Sequence, residues 1–192
     1  MSGFTLVVGN GNWPSEKLIE TLIEKSNFII ALDGAADRFT QWDIVVGDMD
    51  SVKNPELYNR DKNYDNSDLA KALNKYDVDA VVGVEGGRLD HRLAAFTTLF
   101  ETKSDAILYF EKWRACRVGI EGLEIELEKN TKCAIFAFGK VAKVTLSGTK
   151  YELSGEDIHT GSRGLGNLSM ESTISVSHNG GDLLFIWEAD GL

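Results

Sequence analysis

Short apolar runs alternate with segments of helical period up to about residue 113, which is the βαβ signature. Residues 4–8 read as a buried strand that ends in Gly9-Asn10-Gly11-Asn12. Pro14-Ser15 then opens a helix whose apolar face is Leu18, Ile19, Leu22 and Ile23. Further strands are predicted over 28–32, ending at Asp33-Gly34, and over 44–46, ending at Gly47-Asp48. Asn66 or Ser67 is placed to cap a helix running to Lys75, with Leu69, Ala70 and Leu73 inward. A fourth strand spans 80–84 and ends at Glu85-Gly86-Gly87, a helix follows over 88–101, and a fifth strand spans 106–110.

After Trp113 the period changes to two. Leu123-Glu124-Ile125-Glu126-Leu127 alternates strictly, and strands are expected at 133–138, 142–146, 150–153, 173–177 and 183–187. Residues 161–166 form a glycine-rich loop, and Asn179-Gly180-Gly181-Asp182 reads as a hairpin-like turn. The expected architecture is a Rossmann-like, mostly parallel α/β domain over residues 1–113, then a small all-β sandwich domain over 114–192. The join falls near residues 111–117.

Composition narrows the function classes. The chain has 192 residues, 43% hydrophobic and 26% charged, the balance of an ordinary soluble globular protein. No apolar run approaches the ~20 residues of a membrane helix, and Met1-Ser2-Gly3-Phe4 lacks a basic signal-type start, so a cytoplasmic protein without membrane contact is expected. Cys116 and Cys133 have no zinc spacing and read as reduced thiols near the core. The formal net charge of −10 repels nucleic-acid backbones and favours a cationic small substrate. ATP remains compatible with such a surface where Mg²⁺ and a few local Arg or Lys residues screen its phosphates.

Candidate chemistry gathers at the predicted strand ends, where open parallel sheets bind their ligands. Asp33, Asp48, Asp50, Asp65 and Asp68 all lie there or on the helix start that follows. In Gly47-Asp48-Met49-Asp50-Ser51 two carboxylates spaced i, i+2 offer hard oxygen ligands suited to Mg²⁺, although Asp is common in surface turns for local reasons. Asp68 at a helix start is also favoured by the helix dipole, whereas a cation such as Arg88 is not. Arg88 after Gly86-Gly87 therefore reads as a phosphate-directed group on a backbone that permits close approach. Lys71 is a secondary phosphate candidate. His159 and His178 carry no motif.

Taken in order, these motifs resemble the thiamin pyrophosphokinase (thiamin diphosphokinase) family. The matching pieces are Asp33-Gly34-Ala35-Ala36, Gly47-Asp48-Met49-Asp50-Ser51, the run from Asp65 to Leu73, and Gly86-Gly87-Arg88-Leu89-Asp90-His91. Ser147-Gly148-Thr149-Lys150-Tyr151 and Arg163-Gly164-Leu165-Gly166-Asn167 continue the likeness in the β region. The resemblance implies an α/β ATP-binding domain, a β-sandwich that serves thiamin binding and dimerisation, and a homodimer. It implies Mg²⁺-dependent transfer of the pyrophosphoryl group of ATP to the thiamin hydroxyl, with AMP released. It further implies Asp48, Asp50, Asp65 and Asp68 as metal ligands and Asp48, Asp50, Asp68 and Arg88 as catalytic residues. Asp68 is either a ligand or the group that orients or deprotonates the hydroxyl. ATP would be met by Asp33, Gly34, Lys71, Gly86, Gly87, Arg88, Asp90 and His91. Thiamin would be met by Leu165, Gly166 and Asn167, with Tyr151 or Trp187 as an aromatic wall.

Two departures stand out: Asn63 replaces an acidic residue, and Gly166 stands where the family usually has Ser. Three other readings stay open at this stage. One is a pyrophosphokinase for another heterocyclic alcohol such as a hydroxymethylpterin. Another is a non-catalytic nucleotide or thiamin sensor, and the last is a carbohydrate-binding β module with an α/β partner.

Overall fold

The five apolar runs of the first half form one parallel array in the computed structural model, which describes residues 3–61 and 65–189. In chain order the elements are β1 (Phe4–Val8), α1 (Glu16–Lys25), β2 (Ser26–Leu32), β3 (Ile44–Val46), α2 (Asp68–Lys75), β4 (Ala80–Val82), α3 (Leu89–Glu101) and β5 (Ile107–Tyr109). The strands lie in the order β5-β4-β1-β2-β3, each pair parallel. Leu6, Val7, Val8, Ala80, Val81 and Val82 are fully buried. A central parallel strand is covered on both faces, which is why these segments are continuous rather than alternating apolar runs. Leu18, Ile19 and Leu22 of α1 join the cluster that contains Leu6, Val8, Ile29 and Ala31. The Ser67 hydroxyl accepts the Ala70 N–H (3.1 Å) and caps α2.

β1 and β4 end together because their next residues approach without side chains. A Cβ on Gly83, which has φ +76°, would lie 2.1 Å from the Gly9 carbonyl oxygen. The loops then continue to pair, Gly11 N–H donating to Gly83 O (2.7 Å) and Asn12 N–H to Glu85 O (2.6 Å). The strand predicted to run to residue 84 therefore stops at Val82.

The chain divides into two compact units, one extending to Lys112 and the other starting at Trp113. The second unit contains β6 (Trp113–Val118), β7 (Leu123–Glu126), β8 (Lys132–Phe138), β9 (Lys140–Ser147), β10 (Leu153–His159), β11 (Asn167–Leu168), β12 (Thr173–Ser177) and β13 (Asp182–Glu188). They form two antiparallel arrays, β11-β8-β13-β6 and β10-β9-β12-β7. Alternate residues such as Ile135, Ala137, Val144, Leu146, Ile174 and Val176 are buried. The whole is a mixed α/β fold with a parallel-containing sheet and a separate antiparallel sheet. Cys116 and Cys133 are free and buried. Among the described residues no helix is long and apolar enough to cross a membrane.

Three expectations for this unit are corrected. Residues 113–118, read as part of the join, form β6, whose apolar pattern is interrupted in the sequence by Arg114 and Arg117. Most of 150–153 is a turn, and the strand lies at Leu153–His159. That strand is held by pairing with β9 through two register shifts, so its composition shows no apolar period. Asn179–Asp182 does not close a hairpin. β12 pairs with β7 and β9 whereas β13 pairs with β6 and β8, so Gly180 (φ +133°) and Gly181 (φ +104°) carry the chain from one sheet to the other.

Gly83 and Gly87 separate two costs of a side chain. Both have left-handed φ, but a Cβ on Gly87 (φ +61°) meets nothing within 4 Å. Gly83→Ala is expected to lose about 2–4 kcal/mol of unfolding free energy, and Gly87→Ala about 1 kcal/mol. Urea denaturation of both variants checks this, since equal losses would remove the close approach from the explanation.

Candidate active site

The carboxyl ends of β2 and β3 bring three aspartates together. Asp33 leaves β2 with φ +38° and starts a 3₁₀ turn, Asp33–Asp37. Beyond β3, Met49 has φ +61° and buries its side chain in the α1-facing core. Its neighbours Asp48 and Asp50 remain accessible at the surface. One ligand atom from each of Asp33, Asp48 and Asp50 lies within 4.8 Å of the others. Gly47 makes room for this, because a Cβ there would approach Asp33 Cβ at 2.9 Å and Asp68 Oδ2 at 3.0 Å.

The electrostatics differ sharply within the group. Burial, together with Asp50 and Asp68, pushes the Asp33 carboxyl up to about 6 against the lowering effect of Ser51. Its Oδ2 accepts the Ser51 N–H (3.2 Å), whereas Oδ1 is buried with no hydrogen-bond partner. Asp50 moves the other way. The Ser51 hydroxyl donates to its Oδ1 (2.8 Å) and, with Asp33 and Asp48, holds it below the usual carboxylate range.

Asp68 stands beside this set rather than in it. Its Oδ1 accepts a bond from Lys71 Nζ at 2.8 Å, one turn along α2. Burial raises the Asp68 pKa, Lys71 lowers it, and Asp48 and Asp50 add to the rise. Lys71, a secondary phosphate candidate in the sequence, is buried and paired with Asp68. Burial alone would lower its pKa, but Asp68, Asp61 and Asp48 outweigh that and raise it. Asp65 is exposed and outside the three-carboxylate group, and Asn63 lies outside the described residues.

Gly86 (φ +76°) and Gly87 lead from β4 into α3, where Arg88 occupies the N-cap position. Arg88 pairs in bidentate fashion with Asp90, Nε to Oδ1 at 3.0 Å and Nη2 to Oδ2 at 2.5 Å. Asp90 is lowered to about 2, chiefly by Arg88. His91 is exposed, and its N–H donates to Asp90 Oδ1 (3.0 Å). Gly34 is buried next to Asp33, and a Cβ there would meet Asn10 Nδ2 at 2.7 Å.

Sequence reasoning left Gly9–Asn12 as a mere strand end, yet the loop is built and pinned. Arg38 Nη1 donates to Asn10 O (2.7 Å) and Gly11 O (3.0 Å), with its guanidinium 4.7 Å from the Trp13 ring. Trp13 Nε1 donates to Gly9 O (2.9 Å). The available signal was Gly-x-Gly directly after a buried strand.

In the second unit Leu165 and Gly166 line a cavity of about 490 Å³ with Trp113, Ala134, Leu168 and Ile186. Asn167 lines the same cavity and also has a scaffold role. Its Oδ1 accepts the Tyr151 and Leu168 N–H groups (both 3.0 Å), and its Nδ2 donates to Tyr151 O (2.8 Å) and Thr149 Oγ1 (3.1 Å). Being buried with both amide atoms engaged, it fixes the turn that carries Tyr151. Trp187, suggested as an aromatic wall, is buried and stacks on Phe185. Tyr151 is exposed.

Two family models match the chain: "Thiamin pyrophosphokinase, catalytic domain" over residues 19–110, and "Thiamin pyrophosphokinase, vitamin B1 binding domain" over residues 122–181. The fold is similar to a thiamin pyrophosphokinase family protein from Enterococcus faecalis (21% identity, 98% of this chain and 100% of that one, TM-score 0.78). It is also similar to thiamine pyrophosphokinase from Bacillus subtilis (23% identity, 97% and 99%, TM-score 0.75). A third likeness is to thiamin pyrophosphokinase from Candida albicans (14% identity, 97% and 90%, TM-score 0.79). No curated protein matches the chain by sequence.

The raised Asp33 carboxyl sets the sign of a stability effect. In the folded chain it binds its proton more tightly than when unfolded, so stability falls as pH rises from about 4 through about 6. Asp33→Asn removes that cost. With metal chelated, the variant should gain about 1–3 kcal/mol at pH 7, the gain vanishing near pH 4. Thermal melts of both chains across pH 4–8 test it, and a pH-independent difference would reject the ionisation as its source.

Proposed function

Because the chain belongs to the thiamin pyrophosphokinase family, we propose that it acts as a Mg²⁺-dependent thiamin diphosphokinase, passing the β,γ-pyrophosphoryl group of ATP to thiamin. The observation that carries this reading is the carboxylate group at the ends of β2 and β3, with Asp68 and its buried Lys71 beside it. The order β3-β2-β1-β4-β5 is that of a Rossmann-like doubly wound sheet, whose ligand crevice opens where the order reverses, between β1 and β4. Gly9, Gly11, Gly83, Gly86 and Gly87 surround that point.

The residues present suit a hard divalent cation. Asp48 and Asp50 supply anionic oxygens, and Gly47 leaves a cradle that any side chain would fill. When bound there, Mg²⁺ supplies charge neutralisation for the polyphosphate. Asp48 and Asp50 hold it, and Asp65 is a more distant acidic group. Arg88 gathers phosphate oxygens at the start of α3 on the permissive backbone of Gly86 and Gly87, with Gly34, Asp90 and His91 at the margins. Its present pairing with Asp90 is solvent-exposed and weak enough for a phosphate to displace.

Lys71 orients Asp68 and offsets part of the rise that burial imposes on its pKa, and the oxygen of Asp68 not bonded to Lys71 takes the proton of the thiamin hydroxyl. The hydroxyl oxygen bonds to the β-phosphorus, the bond from that phosphorus to the bridging oxygen breaks, and AMP leaves with the electron pair. In the second unit, Leu165, Gly166 and Trp113 offer the rings an apolar wall, with Asn167 setting the turn that presents Tyr151. The net charge of −10 favours a cationic acceptor over a neutral pterin. We read the assembly as a homodimer.

Incubation with ATP, Mg²⁺ and thiamin should yield AMP and thiamin diphosphate, resolved by chromatography. ADP with thiamin monophosphate would overturn the reading. Asp50→Ala should lower kcat about a hundredfold or more while leaving the melting temperature nearly unchanged, because Asp50 is exposed. A folded variant with full turnover would exclude the metal-holding role.

A further inference from the structure

We infer that Arg38 is a positioning residue for the nucleotide, clamping the loop of residues 9–12 at the end of β1 in the form that admits a triphosphate. This rests on the reading above, in which the crevice between β1 and β4 takes ATP. A single atom, Arg38 Nη1, reaches three oxygens of that loop: Asn10 O (2.7 Å), Gly11 O (3.0 Å) and Asn10 Oδ1 (3.3 Å). The guanidinium carbon lies 4.7 Å from the centre of the Trp13 ring, and Trp13 Nε1 donates to Gly9 O (2.9 Å). Trp13 in turn packs edge-on against buried Phe39. The carbonyls of Gly9, Asn10 and Gly11 are therefore held by one arginine–tryptophan pair.

The other side of the loop is fixed by backbone alone, with the N–H groups of Gly9, Gly11 and Asn12 donating to Val82 O, Gly83 O and Glu85 O. Carbonyl oxygens are the negative ends of their peptide dipoles, so a loop with them uncovered would repel an anion at the switch point. A planar, permanently charged guanidinium on two of them reverses that sign. It also offsets locally the repulsion that a net charge of −10 imposes on a polyphosphate. The arginine is placed from the site itself. It closes the 3₁₀ turn Asp33–Asp37, its N–H donating to Ala35 O (3.1 Å). Asp37 of the same turn accepts the Lys53 N–H (2.8 Å), so one turn braces the segments after both β1 and β3. Arg38 is exposed, and an exposed clamp adds little to global stability. Its loss is read in binding.

The test titrates ATP with Mg²⁺ into the full chain by isothermal titration calorimetry, without thiamin. Arg38→Ala should bind ATP about tenfold or more weakly than wild type, with its circular dichroism unchanged. Arg38→Lys keeps the charge but not the planar fork and should recover only part of the affinity. Trp13→Phe keeps a ring beneath the guanidinium, loses the bond to Gly9 O, and should bind about threefold more weakly. In turnover, KM for ATP should rise in each variant while kcat at saturating ATP stays within about twofold. Arg38→Ala binding as tightly as wild type would overturn the inference. Full recovery by Arg38→Lys would overturn the clamp, because charge alone would then suffice, and a fall in kcat matching the rise in KM would reject positioning. A failure of the thiamin reading alone would leave ATP binding by wild type and its loss in the variants intact. Absence of ATP binding by wild type would sink both.

Discussion

Burial of one carboxylate, Asp33, beside other acidic groups is the constraint around which the first unit is organised. Asp33, Asp48 and Asp50 converge at the ends of two neighbouring parallel strands, with Asp68 close by. Burial, with Asp50 and Asp68 nearby, raises the proton affinity of Asp33, whereas Ser51, Asp33 and Asp48 lower that of Asp50. The fold spends backbone strain to hold them. Asp33 and Met49 both adopt left-handed φ, and Gly47 removes the side chain that would keep the acids apart. Met49 anchors the turn in the core, so the two flanking acids remain accessible. The strained residues are those nearest the charges, as expected of a site rather than a generic loop.

Compensation is distributed unequally. Asp50 is stabilised as an anion by the Ser51 hydroxyl, and Asp68 by the buried ammonium of Lys71. Asp33 is helped only by Ser51, and burial outweighs that help, so its carboxyl keeps a raised proton affinity. The ends of β1 and β4 are tied by backbone hydrogen bonds instead, Gly9 N–H to Val82 O, Gly11 N–H to Gly83 O and Asn12 N–H to Glu85 O, which need no charged side chain.

The second unit answers a different problem. Two short antiparallel sheets expose edges and loops, and polar side chains fix those loops. Asn167 makes four hydrogen bonds and ties the Thr149–Tyr151 turn to β11. Its amide is held by the scaffold at the edge of a cavity lined by Leu165, Gly166 and Trp113, and Tyr151 next to it is exposed.

The sequence by itself determined the strands and helices of the first unit, since a 3–5 residue apolar run or an apolar helical face such as Leu18, Ile19 and Leu22 is a local pattern. It also marked Asp48 and Asp50 as a pair at a strand end, because Gly47-Asp48-Met49-Asp50-Ser51 follows a strand directly. Tertiary structure decided what those acids do to one another. Asp33 and Asp50 are separated along the chain and meet only because β2 and β3 pair in parallel, so the orphaned Oδ1 had no linear signature. Lys71 read only as a secondary phosphate candidate, and its burial and pairing with Asp68 appear only in the packed fold. Strand β6, disguised by two arginines, and β10, almost without apolar residues, exist through pairing rather than composition. The same holds for Asn179–Asp182, which has a hairpin's residues but a crossover's geometry, because strand partners are chosen by the whole sheet and not by the turn.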